Sequence, residues 1–102
     1  MAKRMALESD PVANQALALL VELARPKRVW LFGSRARGEN EASSDYDFAL
    51  EGSELPLQER WKLSEALGAL PTLRRFDVVW LELASTLLKE EISREGICLY
   101  ER

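Results

Sequence analysis

Apolar and polar residues follow two different periods along this chain, and the two periods predict both helices and strands. A helical period begins after Asp10 and Pro11, which are typical of a helix N-cap and first turn, and continues until Pro26. The short apolar segment RVWLF, residues 28–32, stops at Gly33 and has the pattern of a buried strand. The first part of the chain is therefore predicted to form a helix followed by a strand.

Two later segments alternate with the period of two that is typical of strands. The first places one apolar face opposite a face that carries two carboxylates: Tyr46, Phe48 and Leu50 against Asp45, Asp47 and Ala49. The second, within RRFDVVWLEL, alternates in the same way: Phe76, Val78 and Trp80 against Asp77, Val79 and Leu81. Both segments are predicted to be strands.

Two further helices are predicted, one between these two strands and one after the second. Pro56 opens a helical segment in which Leu57, Trp61, Ser64 and Leu67 fall near one face, with Leu63 and Leu70 beside it. The leucines of the helices and the tryptophans are expected to lie mostly in the core. Ser85 can cap a last helix that Gly96 ends, and ICLY at 97–100 can add a short edge strand. The order predicts one α+β domain over residues 1–102, with a mixed sheet of three to four strands and helices packed mainly on one face.

Composition removes several classes of function. The chain has 102 residues, 47% of them apolar, which suits one domain of modest core size. It has no histidine and one cysteine, Cys98, so histidine-based catalysis, histidine zinc sites and internal disulfides are excluded. A net charge of -3 argues against direct nucleic-acid binding. No membrane span or signal peptide is recognisable, and a cytoplasmic location is expected.

The segment GSRARGENEASSDYD, residues 33–47, holds the candidate chemistry. Gly33 and Ser34 directly follow a predicted strand, where backbone amides can approach an anion, and Arg35 and Arg37 can add charge-assisted hydrogen bonds. The alternative is an ordinary tight turn with arginines that pair with Glu39 or Glu41 on the surface. A P-loop does not fit, because the Gly-Lys-Ser/Thr ending is missing.

Three aspartates favour the phosphate-binding interpretation. Residues i and i+2 of a strand share a face, with Cα atoms about 6.5 to 7 Å apart, so Asp45 and Asp47 can converge. Asp77 lies among apolar strand residues, where aspartate is uncommon, and it can join them if the two strands are neighbours. Hard carboxylate oxygens suit Mg²⁺, and two ions held in this way can assist phosphoryl transfer.

The spacing of Gly33-Ser34, ten residues, then Asp45-Tyr46-Asp47 resembles the signature of the DNA polymerase beta-like nucleotidyltransferases, and of their minimal nucleotidyltransferase branch in particular. The resemblance extends from the first helix to EISREGICLY. It implies that Gly33 and Ser34, with Arg35 and Arg37, contact nucleotide phosphates. It also implies that Asp45, Asp47 and Asp77 bind two Mg²⁺ ions, with Asp77 as a base toward the acceptor hydroxyl.

The same resemblance implies an antitoxin that transfers AMP from ATP to a hydroxyl, a tyrosine by preference, of a HEPN-type helical ribonuclease toxin. Two alternatives remain open: an antitoxin that masks the toxin by binding alone, and a transferase that modifies small molecules such as antibiotics. The chain is short, so a toxin partner or a second copy is expected to present the acceptor, in a hetero-oligomer or a homo-oligomer. Any exposed tryptophan among Trp30, Trp61 and Trp80 would suit such an interface.

Overall fold

The computed structural model describes residues 10–102, and within them the predicted order of elements is confirmed. The helices are α1 (Pro11–Ala24), α2 (Ser34–Arg37), α3 (Leu57–Gly68) and α4 (Thr86–Glu95). The strands are β1 (Arg28–Phe32), β2 (Tyr46–Glu51), β3 (Phe76–Trp80) and β4 (Ile97–Glu101), and a 3-10 turn (Leu81–Leu83) follows β3. The prediction about a signal peptide concerns mainly residues 1–9, which lie outside the described part.

Both predicted helix caps are present. The Asp10 carboxylate accepts hydrogen bonds from the backbone N–H groups of Val12 and Ala13, at 3.0 and 3.2 Å. The Ser85 hydroxyl accepts one from Leu88 N at 3.2 Å. Each cap satisfies backbone donors that the first helical turn cannot use, and such a cap contributes about 1 kcal/mol. Local sequence therefore fixes where α1 and α4 begin.

The sheet has the strand order β3-β2-β1-β4. Strand β1 is antiparallel to both β2 and β4, whereas β2 and β3 are parallel, so the sheet is mixed. The register pairs Phe32 with Asp47 and Asp47 with Asp77. The end of β1 and the starts of β2 and β3 consequently lie at the same end of the sheet.

Helices cover the two faces unequally. The larger core cluster joins α1 and α3 to one face of the sheet, through residues that include Leu20, Leu63 and Phe48. A smaller cluster on the opposite face joins α4 to the sheet through Ile92, Phe32 and Ala49. The α+β class with a four-stranded mixed sheet is confirmed, and the two longest helices lie on one face as expected. No helix within residues 10–102 has the length and apolar character of a membrane span.

The face predicted for α3 is only partly buried, and the expectation that Trp61 belongs to the core was wrong. Leu63 and Leu67 are buried, at 2% and 3% exposure, whereas Leu57 and Trp61 are 75% and 55% exposed. Leu63, Leu67 and Leu70 form an uninterrupted apolar stripe, while the stripe that begins at Leu57 is broken by Ser64. The helix buries the continuous stripe, and a leucine and a tryptophan one turn apart therefore face solvent.

Candidate active site

Gly33 makes the turn between β1 and α2 in a conformation that only glycine adopts readily. Its φ is 78° and its ψ is -157°, and side chains are essentially excluded from this region. A Cβ atom on Gly33 would also overlap the carboxylate of Asp47. The backbone of the turn is thus in close contact with one of the predicted catalytic aspartates.

Two of the three predicted aspartates lie on neighbouring strands, and the third directly precedes one of these strands. Asp47 on β2 pairs directly with Asp77 on β3, which confirms that the two strands are adjacent. Asp45 immediately precedes β2, and its Oδ1 accepts a hydrogen bond from the backbone N–H of Arg75 at 3.2 Å. Because Asp47 and Ala49 share a strand face, the carboxylates are on the α4 side of the sheet.

The surroundings of Asp47 raise the pKa of its carboxyl group. Burial is the largest cause that raises the pKa of Asp47 from 3.8 to about 6, and the charges of Asp77 and Asp45 contribute to the same rise. A hydrogen bond with Asp77 and the charge of Glu91 on α4 add to the effect. The ionised form of Asp47 is therefore disfavoured by its surroundings, and a cation would remove that penalty.

The donor chemistry at this position fits Mg²⁺, which prefers carboxylate oxygens and retains water and phosphate ligands. As the side chains lie, no three acidic or cysteine side chains of residues 10–102 are arranged around one metal position. Asp45 is turned toward the amide of Arg75. The repulsion among Asp45, Asp47 and Asp77 is the feature that a divalent cation would offset.

Ser34 is the first residue of α2 and follows Gly33 directly. Its backbone carbonyl accepts a hydrogen bond from Glu39 N at 2.9 Å, which closes the short helix. Within residues 10–102 its hydroxyl has no hydrogen-bond partner. Ser34 is thus held beside the aspartates by its backbone, with a hydroxyl that can serve a ligand.

Arg35 has structural contacts that the sequence did not indicate. Its Nε and Nη2 donate to the carbonyl oxygen of Ser44 at 3.1 and 2.8 Å, and its guanidinium lies 3.9 Å from the centre of the Tyr46 ring. The Tyr46 hydroxyl in turn donates to Asp10 at 2.5 Å. Burial and this bond raise the pKa of Tyr46 to about 12. Arg35 therefore fastens the loop that leads into β2, and its phosphate contact stays a prediction.

Arg37 connects α2 to α4 through acidic side chains. Its guanidinium lies 2.7 Å from Glu39, 3.3 Å from Glu95 and 3.9 Å from Glu91. Hydrogen bonds to Glu39 and Glu95 raise its pKa further above the usual value. The sequence interpretation missed Glu91, which faces both Arg37 and Asp47. Its spacing of four residues from Glu95 was visible, but nothing in the sequence showed which side of α4 faces the sheet.

The order of strands thus places the glycine-serine turn beside Asp47, and Asp47 beside Asp77, while Asp45 lies at the start of the same strand and is turned toward Arg75. Residues 14–102 match the family described as Polymerase beta, Nucleotidyltransferase. The chain belongs to this family of nucleotidyltransferases.

The chain is also similar in sequence to a protein with a more specific description. The chain is 33% identical over 96 residues to the protein adenylyltransferase MntA of Aphanizomenon flos-aquae (strain 2012/KM1/D3). That alignment covers 84% of this chain and 64% of MntA, so the chain spans less than two thirds of this relative's length.

Solved toxin–antitoxin complexes contain chains with a similar fold. One chain of a toxin–antitoxin crystal structure with AMP-PNP is 32% identical, with a TM-score of 0.70, and the match covers 87% of this chain and 73% of that chain. A chain from the complex of the tri-AMPylated Shewanella oneidensis HEPN toxin with its MNT antitoxin is 28% identical, with a TM-score of 0.64. That match covers 87% of this chain and 69% of the other.

Proposed function

We propose that this chain is a Mg²⁺-dependent protein adenylyltransferase that acts as an antitoxin, transferring AMP from ATP to a tyrosine hydroxyl of a HEPN-type toxin. The observation that carries the proposal is the direct pairing of Asp47 with Asp77 beside Gly33, where a side chain would overlap the Asp47 carboxylate. The likeness to MntA and to chains of toxin–antitoxin complexes supports the protein acceptor. In this proposal the protein acts in the cytoplasm, where ATP is available as the substrate. It forms a hetero-oligomer with the toxin.

The reaction is a displacement at the α-phosphorus of ATP. The acceptor oxygen forms a bond to this phosphorus, the bond to the bridging oxygen breaks, and pyrophosphate leaves. Asp77 is exposed at the edge of the sheet, where an incoming hydroxyl can reach it, and it accepts the hydroxyl proton. When bound, Mg²⁺ would supply positive charge for the phosphates, and Asp45, Asp47 and Asp77 would hold it.

The other side chains of the site have positioning roles in this proposal. Gly33 lets the phosphates approach the backbone, and Ser34 contributes its hydroxyl. Arg37 contacts phosphate oxygens, which compete with Glu39 and Glu95 for its guanidinium. Arg35 acts mainly by holding the loop before β2.

Neutralisation by binding alone is the second candidate, and the exposed side chains of α3 offer a surface for it. Leu57 and Trp61 are separated by one helical turn and both face solvent. A paired leucine and tryptophan on a surface are typical of a protein interface. Such a surface would serve an enzyme and a masking protein equally, so transfer itself must be measured.

The test is to mix the chain with ATP, Mg²⁺ and the HEPN-type partner and to measure the mass of the partner. We expect the addition of one or more AMP groups, and toxicity that stays abolished after the proteins are separated. Asp77→Asn should reduce transfer at least about a hundredfold while partner binding is retained. Glu101→Gln, which changes an acid on the outer strand β4, is the matched control and should transfer normally.

Two outcomes would reject catalysis. The partner could regain activity on separation with no change in mass. Alternatively, Asp77→Asn could neutralise the toxin in cells as well as the wild type does. Either result leaves the masking function in place of the transferase.

A further inference from the structure

The segment that leads into β3 presents alternate side chains to solvent. Leu73 is 94% exposed, Arg75 and Asp77 are also exposed, and Arg74 and Phe76 between them are partly buried. The carbonyl oxygen of Arg75 accepts a hydrogen bond from Tyr46 N at 2.9 Å, so strand pairing continues one residue beyond β3. Arg75 therefore shares a strand face with Asp77, and Leu73 is exposed at the bend that precedes them.

The backbone of this segment is fixed although Leu73 is exposed. Thr72 N donates to the carbonyl oxygen of Leu70 at 2.7 Å, and Arg74 N donates to the Thr72 hydroxyl at 3.1 Å. The Arg74 side chain donates to the carbonyl oxygen of Ala42 at 2.5 Å. A leucine held outward by an ordered loop can contact a partner without a large loss of conformational entropy.

Arg75 differs from the other arginines around the site. Arg35, Arg37 and Arg74 all use their guanidinium groups in bonds within the chain. Among residues 10–102 the Arg75 guanidinium has no hydrogen-bond partner and no ion pair, although its backbone N–H binds Asp45. This cation is available to a carboxylate that comes from another molecule.

The position of Arg75 separates it from the nucleotide side of the site. Gly33 follows β1, which lies on one side of β2, whereas Arg75 leads into β3 on the other side. Strand β3 is the outer strand of the sheet, and no other strand of residues 10–102 lies beyond it. A polypeptide can therefore lie along this edge and reach Asp77 without crossing the phosphate turn.

We propose that Leu73, Arg75 and Asp77 form the surface that receives the acceptor protein. Leu73 contacts an apolar side chain of the acceptor, and Arg75 pairs with a carboxylate near the hydroxyl that Asp77 deprotonates. This inference rests on the proposed transferase function. It defines the acceptor segment by its chemistry: a hydroxyl with an acidic and an apolar side chain close to it.

The test compares Arg75→Glu and Leu73→Ser with controls that make the same changes elsewhere. Arg102→Glu reverses an exposed charge that follows β4 at the other end of the sheet, and Leu83→Ser replaces a leucine that is 71% exposed after β3. Transfer kinetics with the HEPN-type partner give KM for the partner and kcat, and calorimetric titration gives partner affinity without transfer. The rise in melting temperature with ATP and Mg²⁺ reports the nucleotide site separately.

We expect Arg75→Glu to raise the partner KM about tenfold with little change in kcat or in the response to ATP, and Leu73→Ser to do the same more weakly. Arg75→Lys keeps the positive charge and should retain most of the wild-type affinity for the partner. Replacing the acceptor carboxylate with a lysine in the partner should restore most of the affinity that Arg75→Glu loses. Unchanged partner KM and affinity in both variants would overturn the inference, as would equal losses in the controls or a lost ATP response in Arg75→Glu.

Failure of the proposed function gives a different result. If the wild type transfers no AMP, the transferase proposal fails. The calorimetric titrations still decide whether Leu73 and Arg75 contact the partner. Partner affinity that falls in Arg75→Glu and Leu73→Ser but not in the controls would then support the surface, and equal affinity would reject it.

Discussion

Acidic residues have opposite surroundings at the two ends of the sheet. At the end where β1 begins, Glu51 lies 2.7 Å from Arg28 and accepts a hydrogen bond from Trp30 Nε1 at 3.0 Å. Arg28 also lies 2.9 Å from Glu101 on β4. At the end where β1 stops, Asp47 has Asp77 and Asp45 as neighbours, and their charges help to raise its pKa to about 6.

The difference separates acids that stabilise the fold from the acids that we propose as metal ligands. Glu51 has its partners within the chain, so folding alone satisfies it. Asp47 lies among like charges at the point where the backbone of Gly33 approaches, and the folded chain does not compensate it. Local arrangements that disfavour the folded state without a gain in packing are expected at functional sites.

The largest expected effect comes from Gly33→Ala. The substitution puts a Cβ into a backbone region that is essentially limited to glycine and into the space of the Asp47 carboxylate. We expect the free energy of unfolding to fall by about 3 kcal/mol and the stabilisation by ATP and Mg²⁺ to disappear. Thermal melts with and without nucleotide measure both changes.

Gly38→Ala is the matched control, because Gly38 also has a positive φ, 74°, but has open space around its Cβ position. It should lower the free energy of unfolding by about 1 kcal/mol and leave the nucleotide response intact. Equal effects of the two substitutions would mean that contact between Gly33 and Asp47 has no role in binding.

The next effect concerns the metal. Wild-type protein should gain about 2.7 kcal/mol of stability when Mg²⁺ and ATP are present at about a hundred times Kd. The Asp45→Asn, Asp47→Asn double variant should lose this gain, because two of the proposed oxygen ligands lose their charge. Melting temperatures at increasing Mg²⁺ measure it. If the double variant responds as the wild type does, these residues do not form the metal site.

Much of the site could be predicted because it depends on short segments. The motif placed Gly33 and Ser34 directly after a strand, and alternation put Asp45 and Asp47 on one face. Asp77 required the further assumption that β2 and β3 are neighbours, and the parallel pairing confirms it. The starts of α1 and α4 could also be predicted, because Asp10 and Ser85 form hydrogen bonds within the helical turn that follows them.

What could not be predicted depends on how elements pack. The sequence offers two apolar stripes on α3, and only the fold decides that Leu63 and Leu67 are buried instead of Leu57 and Trp61. Arg35 looked like a phosphate ligand because it follows Ser34, but the loop before β2 supplies its partner, Ser44, from nine residues away. Glu91 reaches the site only because α4 returns across the sheet.

A smaller effect is expected for Asp47→Asn without metal, and it should be stabilising. The folded-state pKa of about 6 exceeds the ordinary 3.8, so the folded state binds more protons between these values and loses stability as pH rises through them. Above about pH 6 the variant avoids this penalty and should gain about 1 kcal/mol after allowance for solvent screening. Melts from pH 4 to pH 7 should show the difference growing with pH, and a constant difference would contradict it.

The smallest effect is expected at the balanced end of the sheet. Glu51→Gln keeps an oxygen that can accept from Trp30 Nε1 but removes the charge that lies 2.7 Å from Arg28. Partly exposed ion pairs contribute little, so the melting temperature should fall by only about 2 °C at low salt. Raising the salt concentration should reduce the difference, because screening weakens the pair that the wild type retains. A rise in melting temperature, as expected for Asp47→Asn, would show that the acids at the two ends of the sheet do not differ in the way described.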